Sequence, residues 1–249
     1  MKIMLDPGHT GVTDPGAVAG GLREADVTLD VALKLRDLLA GVPGLEVRLT
    51  RDRHVDLATP YTQSADLRAR TNMANNWPAD VYLSIHVNAA ANPEARGVET
   101  FHHVKASDEA VRVAHVLHRY LVPHFTRSRG VKSADFHVLR ETRMPAVLVE
   151  LGFITNDDDR RLLADEAFRR RLAEALATGL CEAFDLPAPA TEPVPGPFKD
   201  VPGTHPAAAA IAAVKAAGLM VGYPDGTFRP DQPVTRAELA AVLQRLGLR

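Results

Sequence analysis

The chain has 249 residues and a formal net charge of −2, and its composition is 46% hydrophobic and 24% charged, as in globular proteins of one or two domains. This nearly neutral balance provides no basic field to attract nucleic acid or an anionic membrane surface. Cys181 is the one cysteine in the sequence, which excludes an intrachain disulfide and a thiolate metal cluster.

The first 185 residues alternate between apolar, β-like runs and amphipathic helical patterns. This alternation predicts an α/β fold, with a mostly parallel sheet and helices on both faces. The predicted strands are 3–5, 45–49, 81–85, 97–101, a short edge strand at 136–139, and 146–149. The predicted helices are 24–41, 61–77, 107–121 and 157–184, the last as one helix or as two that are broken near Asp165.

The composition changes sharply after residue 185, where a proline-rich stretch begins. We interpret 186–197 as a stiff, extended linker. Two helical patterns follow, at 206–217 and 235–246, and Thr235 and Glu238 have the spacing of a capping box. The sequence therefore predicts a large domain at 1–185, the linker at 186–197 and a small all-α module at 198–249.

The amino-terminal sequence, MKIMLDPGHTG, lacks a charged segment followed by an apolar one, and no later stretch approaches membrane-spanning length. We therefore expect no signal peptide in this chain and no membrane partner. Two origins fit this pattern. Either the protein is made in the cytoplasm, or it is an exported protein whose signal has been removed.

Ionisable side chains follow three of the predicted strands. His9, His86 and Glu150 come at or just after strand ends, and Glu24 opens the helix after the first strand. In open α/β sheets such groups gather outside the carboxyl ends of the strands. Two imidazoles and a carboxylate form the ligand set of many catalytic zinc sites, and a second carboxylate can serve as general base. His9 and His86 are each better explained alone as ordinary hydrogen-bonded groups, and Glu24 alone as a favourable charge at a helix start. The hypothesis therefore depends on their convergence with Glu150.

Several motifs resemble, in order, the zinc-dependent N-acetylmuramoyl-L-alanine amidases of the type 3 group, which cleave peptidoglycan. The similar region runs from Lys2 to about Phe184. Thr10 and Val87 stand where that family often has Gly and Ala. The motifs are LDPGHTG at His9, TDPGA ending at Ala17, LREADVTLDVALKL around Glu24, LTRD at 49–52, LRARTNMANNWPADVYLSIHVNA through His86, and RGVKSADFHVLRETRMPAVLVELGFITN through Glu150.

The resemblance implies a phosphorylase/hydrolase-like fold. It also implies that His9, Glu24 and His86 bind Zn²⁺ and that Glu150 is the catalytic acid and base. With zinc, Glu150 would activate a water that hydrolyses the amide between muramic acid and L-alanine. Asn88 and Arg140 are weaker candidates for contacting the substrate, and a structural hydrogen bond explains either equally well.

The carboxy-terminal module resembles a single S-layer homology repeat, mainly through GYPDGTFRPD at 222–231 and TRAE at 235–238. The resemblance implies binding to a secondary cell-wall polymer, with Arg236 as a candidate contact; a first-turn pairing of Arg236 with Glu238 or Asp231 explains it equally well. Such repeats usually occur in threes, so one copy leads to the hypothesis of a homo-oligomer.

The leading functional prediction is therefore a peptidoglycan hydrolase that acts at the bacterial cell wall and is anchored there by its second module. A phage endolysin, a mother-cell lysin and an exported autolysin all fit this prediction. A zinc peptidase that cuts within the stem peptide and a non-catalytic wall-binding protein are the alternatives.

Overall fold

The computed structural model of the protein describes residues 1–189, 197–201 and 207–247. The chain divides into two compact units, 1–190 and 191–249. The segment predicted as a linker, 186–197, lies mostly outside the described residues, as does the predicted start of the helix at 206. Within the described ranges, no helix is long and apolar enough to cross a membrane.

The first unit is built on a six-stranded sheet with the spatial order β4-β1-β5-β8-β6-β7. Among the described residues, neighbouring strands are parallel except β8 and β6, which are antiparallel. The prediction of a mostly parallel sheet is therefore confirmed. The strands are β1 (Lys2–Pro7), β4 (Glu46–Leu49), β5 (Val81–Asn88), β6 (Val98–His103), β7 (Ser128–Ala134) and β8 (Ala146–Phe153), and a separate hairpin is formed by β2 (Val18–Ala19) and β3 (Leu22–Arg23).

Helices cover both faces of this sheet, as predicted. Successive side chains of a strand point to opposite faces. Leu83 and Val149 accordingly belong to the larger core, whereas Tyr82 and Leu148 belong to the smaller one. On the larger-core side lie α1 (Glu24–Leu39), α3 (Asp108–Leu121), α5 (Asp157–Ala164) and α6 (Glu166–Ala183); the smaller core packs against α2 (Gln63–Asn76) and α4 (His137–Arg140).

The predicted edge strand at 136–139 is wrong. This segment forms the short helix α4, and the edge strand is β7, which the sequence did not indicate. Val138 and Leu139 are adjacent and both buried in or beside the smaller core, an arrangement that a helix allows and an extended strand does not. The sequence of β7, SRGVKSA, lacks an apolar run because none of its residues is fully buried.

The described part of the second unit contains two helices, α7 (Ala208–Ala216) and α8 (Arg236–Arg245), and a bridge between Phe198 and Val201. Its small core is formed by Phe198, Val201, Ala208 and Ile211. The predicted capping box is present: Glu238 N donates to Thr235 Oγ1 over 3.2 Å, and Thr235 N donates to Glu238 Oε2 over 2.8 Å.

Candidate active site

Four of the side chains singled out in the sequence lie at one edge of the sheet. His86 on β5 is the direct register partner of Glu150 on β8, so both project from the face that carries the smaller core. His9 lies two residues beyond the end of β1, and Glu24 is the first residue of α1. The fold therefore brings these residues together from distant parts of the chain.

His9, Glu24 and His86 each offer one donor atom, and the three atoms lie within 4.8 Å of one another. Glu24 Oε2 is 3.0 Å from His9 Nε2, and Glu24 Oε1 is 2.9 Å from His86 Nδ1. The two imidazole rings meet edge to face, with their centroids 5.1 Å apart. Two imidazoles and one buried carboxylate at this spacing fit a single metal ion of the kind that binds nitrogen and oxygen ligands.

The carboxylate of Glu24 is held rigidly. The backbone N–H groups of Ala17 and Val87 each donate to one of its oxygens over 3.0 Å. Burial alone would raise the pKa of Glu24, but the hydrogen bonds and charges of His86 and His9 outweigh it and lower the pKa below its usual value. Glu24 is therefore available as an ionised donor.

The orientation of His9 is set by Asp14, whose Oδ2 lies 2.8 Å from His9 Nδ1. The Tyr61 hydroxyl donates to the same oxygen over 3.2 Å. Burial lowers the pKa of His9, but Glu24 and Asp14 together raise it more. With Nδ1 held by Asp14, Nε2 is turned toward Glu24, which is how an outer carboxylate orients a histidine ligand. The sequence reasoning gave Asp14 no role, although its TDPGA motif was apparent.

The loop that carries His9 is held by two arginines. His9 has a φ of 61°, in the left-handed region that is costly for residues other than glycine. Arg70 donates to the carbonyl oxygens of His9 and Pro7 over 2.7 and 2.8 Å, and Arg51 donates to that of Gly8 over 2.7 Å. Three consecutive carbonyl groups are thus fixed by guanidinium groups.

The charge of Arg70 is balanced by Asp6 and Asp66, each with one oxygen 2.7 Å from its guanidinium group. All three side chains are buried. Burial raises the pKa of Asp6, but Arg70 and the hydroxyl donors around it lower the pKa well below its usual range. The network is therefore ionised, and it joins β1 to α2 directly beneath the candidate metal ligands.

Gly8 leaves just enough room for the ring of His86. A Cβ atom at position 8 would lie 2.4 Å from His86 Cε1 and 2.6 Å from Nε2. We expect Gly8→Ala to displace this ring and to weaken metal binding at the candidate site by about tenfold or more, as changes around metal ligands do. Competition with a chromogenic chelator measures this.

Gly44→Ala is the matched control for that substitution. Gly44 has a φ of 74° and no atom within 4 Å of an added Cβ. The control variant therefore introduces backbone strain, which Gly8→Ala does not, but its added Cβ contacts no imidazole ring. Equal metal affinities for the two variants would show that the contact between position 8 and the His86 ring does not matter.

Glu150 differs from the other three residues. Its Oε2 atom is buried and has no hydrogen-bond partner among the described residues. Burial, and then the charges of Glu24 and Glu99, raise the pKa of Glu150 well above its usual value. A carboxyl group with a free oxygen and a high proton affinity, beside three side chains that could hold a metal ion, is suited to transferring a proton.

These groups open into a cleft of about 320 Å³. Its apolar wall is contributed largely by α4 and β8, and its other side by the loop after β1 and the start of α2. The lining includes His9, Glu24, His86, Glu150, Asn88, Tyr61, Leu67, Phe136, His137, Val138 and Leu148.

The weaker candidate contacts lie in different surroundings. Asn88 lines the cleft and donates a hydrogen bond to Glu99. Arg140 is exposed and pairs with Asp135 and Glu141 over 2.7 and 2.8 Å, and it is not among the cleft-lining residues. Arg236, in the second unit, is exposed at the first position of α8. Substrate or polymer contacts by these three residues stay predictions.

Two family profiles match the chain. The profile of the N-acetylmuramoyl-L-alanine amidases covers residues 3–182, and that of the S-layer homology domain covers residues 197–240. The chain belongs to the N-acetylmuramoyl-L-alanine amidase family. The predictions of an amidase and of an S-layer homology module are thereby confirmed.

Named members of this amidase family resemble the chain closely. It is 39% identical to the N-acetylmuramoyl-L-alanine amidase CwlM of Bacillus licheniformis over 187 residues, which is 75% of this chain and 70% of that one. It is also 39% identical to a sporulation-specific amidase of Bacillus subtilis over 188 residues, 75% and 69% of the two chains. The solved catalytic domain of CwlV, an amidase of Bacillus (Paenibacillus) polymyxa, is 34% identical with a TM-score of 0.67, covering 75% of this chain and 99% of that one.

Proposed function

We propose that this amidase hydrolyses the amide bond between N-acetylmuramic acid and L-alanine, with Zn²⁺ held by His9, Glu24 and His86 and with Glu150 as the catalytic acid and base. The observation that carries the proposal is the convergence of three metal-ligating atoms within 4.8 Å beside a buried carboxyl oxygen that has no partner among the described residues.

Zinc supplies Lewis acidity, which makes water more acidic and polarises a carbonyl oxygen. Glu150 takes the proton of the attacking water while the water oxygen adds to the lactyl carbonyl carbon. It then delivers this proton to the nitrogen of L-alanine as the C–N bond breaks. Its raised pKa suits both steps, because it makes the carboxylate a strong base and keeps the acquired proton available for the leaving amine.

The other residues of the site prepare these steps. Asp14 turns His9 Nε2 toward the metal-binding position, and the N–H groups of Ala17 and Val87 hold both oxygens of Glu24. The apolar wall around Phe136 and Leu148 limits water near the reacting carbonyl.

Product identification tests this function. We expect the full-length, zinc-loaded chain to release intact stem peptides with free L-alanine amino groups from purified wall. We also expect a chelator to abolish the release and zinc to restore it. Cuts within the stem peptide would show a zinc peptidase instead, and no release with zinc bound would leave a wall-binding protein without activity.

For the second module we propose binding to a secondary wall polymer, with Arg236 as a contact, and assembly of more than one chain through the single repeat. The proposed segments are a catalytic domain at 1–185, a linker at 186–197 and the wall-binding module at 198–249. Sedimentation of the full chain tests the assembly, and a purely monomeric profile would contradict it. Pull-down with walls stripped of secondary polymer tests the binding.

A further inference from the structure

A second carboxylate lies beside Glu150 in the sheet. Glu99 on β6 is the antiparallel register partner of Glu150, so both side chains project from the face that carries the cleft. Glu99 is buried and accepts a hydrogen bond from Asn88, which itself lines the cleft. Glu99 therefore lies between the cleft and the outer edge of the sheet.

Two cationic side chains of the edge strand β7 approach Glu99. Lys132 Nζ forms a close ion pair with its Oε2, and Arg129 Nε lies 3.4 Å from its Oε1. The side chains of Lys132 and Arg129 are 40% and 27% exposed, whereas that of Glu99 is 5% exposed. The two cationic side chains are therefore partly exposed, whereas the carboxylate between them is buried.

The balance of charge differs from that in the other arginine network of the site. Arg70 is buried between two carboxylates, Asp6 and Asp66. Lys132 and Arg129, in contrast, share Glu99, which leaves one positive charge in excess. An excess positive charge at a partly exposed position favours binding of an anion such as a carboxylate. The reason is that hydrogen bonds between ionised groups are stronger than those between neutral groups.

An aromatic ring lies beside the charged group of each cation. The Arg129 guanidinium lies 4.9 Å from the centre of the Phe153 ring, and Lys132 Nζ lies 5.8 Å from that of Phe101. Phe101 in turn packs edge to face on Phe136, which lines the cleft. The ring beneath Lys132 is thus one contact away from the wall of the cleft.

We propose that Lys132 and Arg129 form a cationic shelf that binds a carboxylate of the stem peptide when the scissile amide lies at Glu150. This proposal rests on the proposed function, and it identifies a part of the substrate that the site recognises. Adjacent strands are about 4.8 Å apart, so β7 lies roughly 10 Å from β8. An extended peptide spans about 3.5 Å per residue, which places the second or third residue of the stem at the shelf.

Steady-state kinetics of the full-length, zinc-loaded enzyme test the shelf. The substrates are soluble muropeptides whose second-residue or third-residue carboxylate is either free or amidated. We expect Lys132→Gln to raise KM roughly three- to tenfold for the free acid, with little change for the form amidated at the recognised position. Lys132→Arg keeps the positive charge and should therefore keep KM near the wild-type value. Added salt should weaken the preference of the enzyme for the free-acid substrate.

Two further variants sharpen the test. Lys105→Gln removes an exposed lysine two residues after β6 and should leave both KM values unchanged. Glu99→Gln removes the negative charge beneath the shelf, so the ratio of the KM for the free acid to the KM for the amide should fall. A structural role for Glu99 and Lys132 predicts instead an equal change for both substrates.

The outcomes separate the shelf from the proposed function. If wild-type enzyme cleaves free and amidated substrates with the same KM, the shelf is wrong and the amidase mechanism stands. An equal loss on both substrates in Lys132→Gln likewise overturns the shelf. If the wild type cleaves neither substrate, the proposed function fails, and the shelf fails with it.

Discussion

Replacing Glu150 with glutamine is expected to lower kcat by about 10²- to 10⁴-fold, the range that a positioned general acid and base contributes. Glutamine keeps the shape of the side chain but cannot take up the proton of water. Glu150 does not belong to the cluster of donor atoms formed by His9, Glu24 and His86, so zinc content should stay at the wild-type level. Product release and metal analysis of the same preparation measure both quantities.

The same substitution should not destabilise the fold. Because burial and neighbouring carboxylates raise the pKa of Glu150, its ionised form is disfavoured in the folded protein, and neutral glutamine relieves that cost. The apo variant should therefore melt at or above the wild-type temperature. Glu141→Gln, at an exposed carboxylate, is the control. A Glu150→Gln enzyme with nearly normal kcat would refute the assignment.

Replacing Arg70 with methionine is expected to lower the free energy of unfolding by about 3–5 kcal/mol, as breaking a buried ion pair from one side does. Asp6 and Asp66 would remain buried without their cation, and the carbonyl groups of Pro7 and His9 would lose a donor. Urea unfolding measures this loss. Trp77, the one tryptophan of the chain, is buried in the first unit and reports on that unit.

Arg68→Met is the control, since Arg68 is exposed on the same helix and its replacement should cost less than about 0.5 kcal/mol. A second variant separates the charge from the packing. Adding Asp6→Asn to Arg70→Met removes one uncompensated charge and should recover part of the lost stability. Equal losses for Arg68→Met and Arg70→Met would show that the buried network contributes nothing.

The sequence predicted which side chains meet at the site where those side chains lie at the ends of strands. His9, His86 and Glu150 follow apolar runs, and the ends of parallel strands meet at one edge, so their meeting followed from local pattern and a general rule. The identity of α4 did not follow, because the segment 136–139 is too short for periodicity to separate helix from strand. Its neighbour β7 is polar and was not recognised as a strand.

Glu99 was missed for a different reason. It lies near the beginning of its strand, and in a fully parallel sheet the beginning of a strand is far from the edge that carries the site. Only because β6 runs antiparallel to β8 does Glu99 face Glu150. Strand direction depends on which strands pair, and no local feature of 97–101 encodes that pairing.

The place of β8 in the sheet affects how the enzyme becomes active during its synthesis. It is the last strand of the first unit to leave the ribosome, yet it occupies the gap between β5 and β6, both of which emerge earlier. Until it is inserted, those two strands have unpaired edges, and the carboxyl group of Glu150 does not face His86. The two halves of the site are therefore joined only when this strand, the last in chain order, is in place.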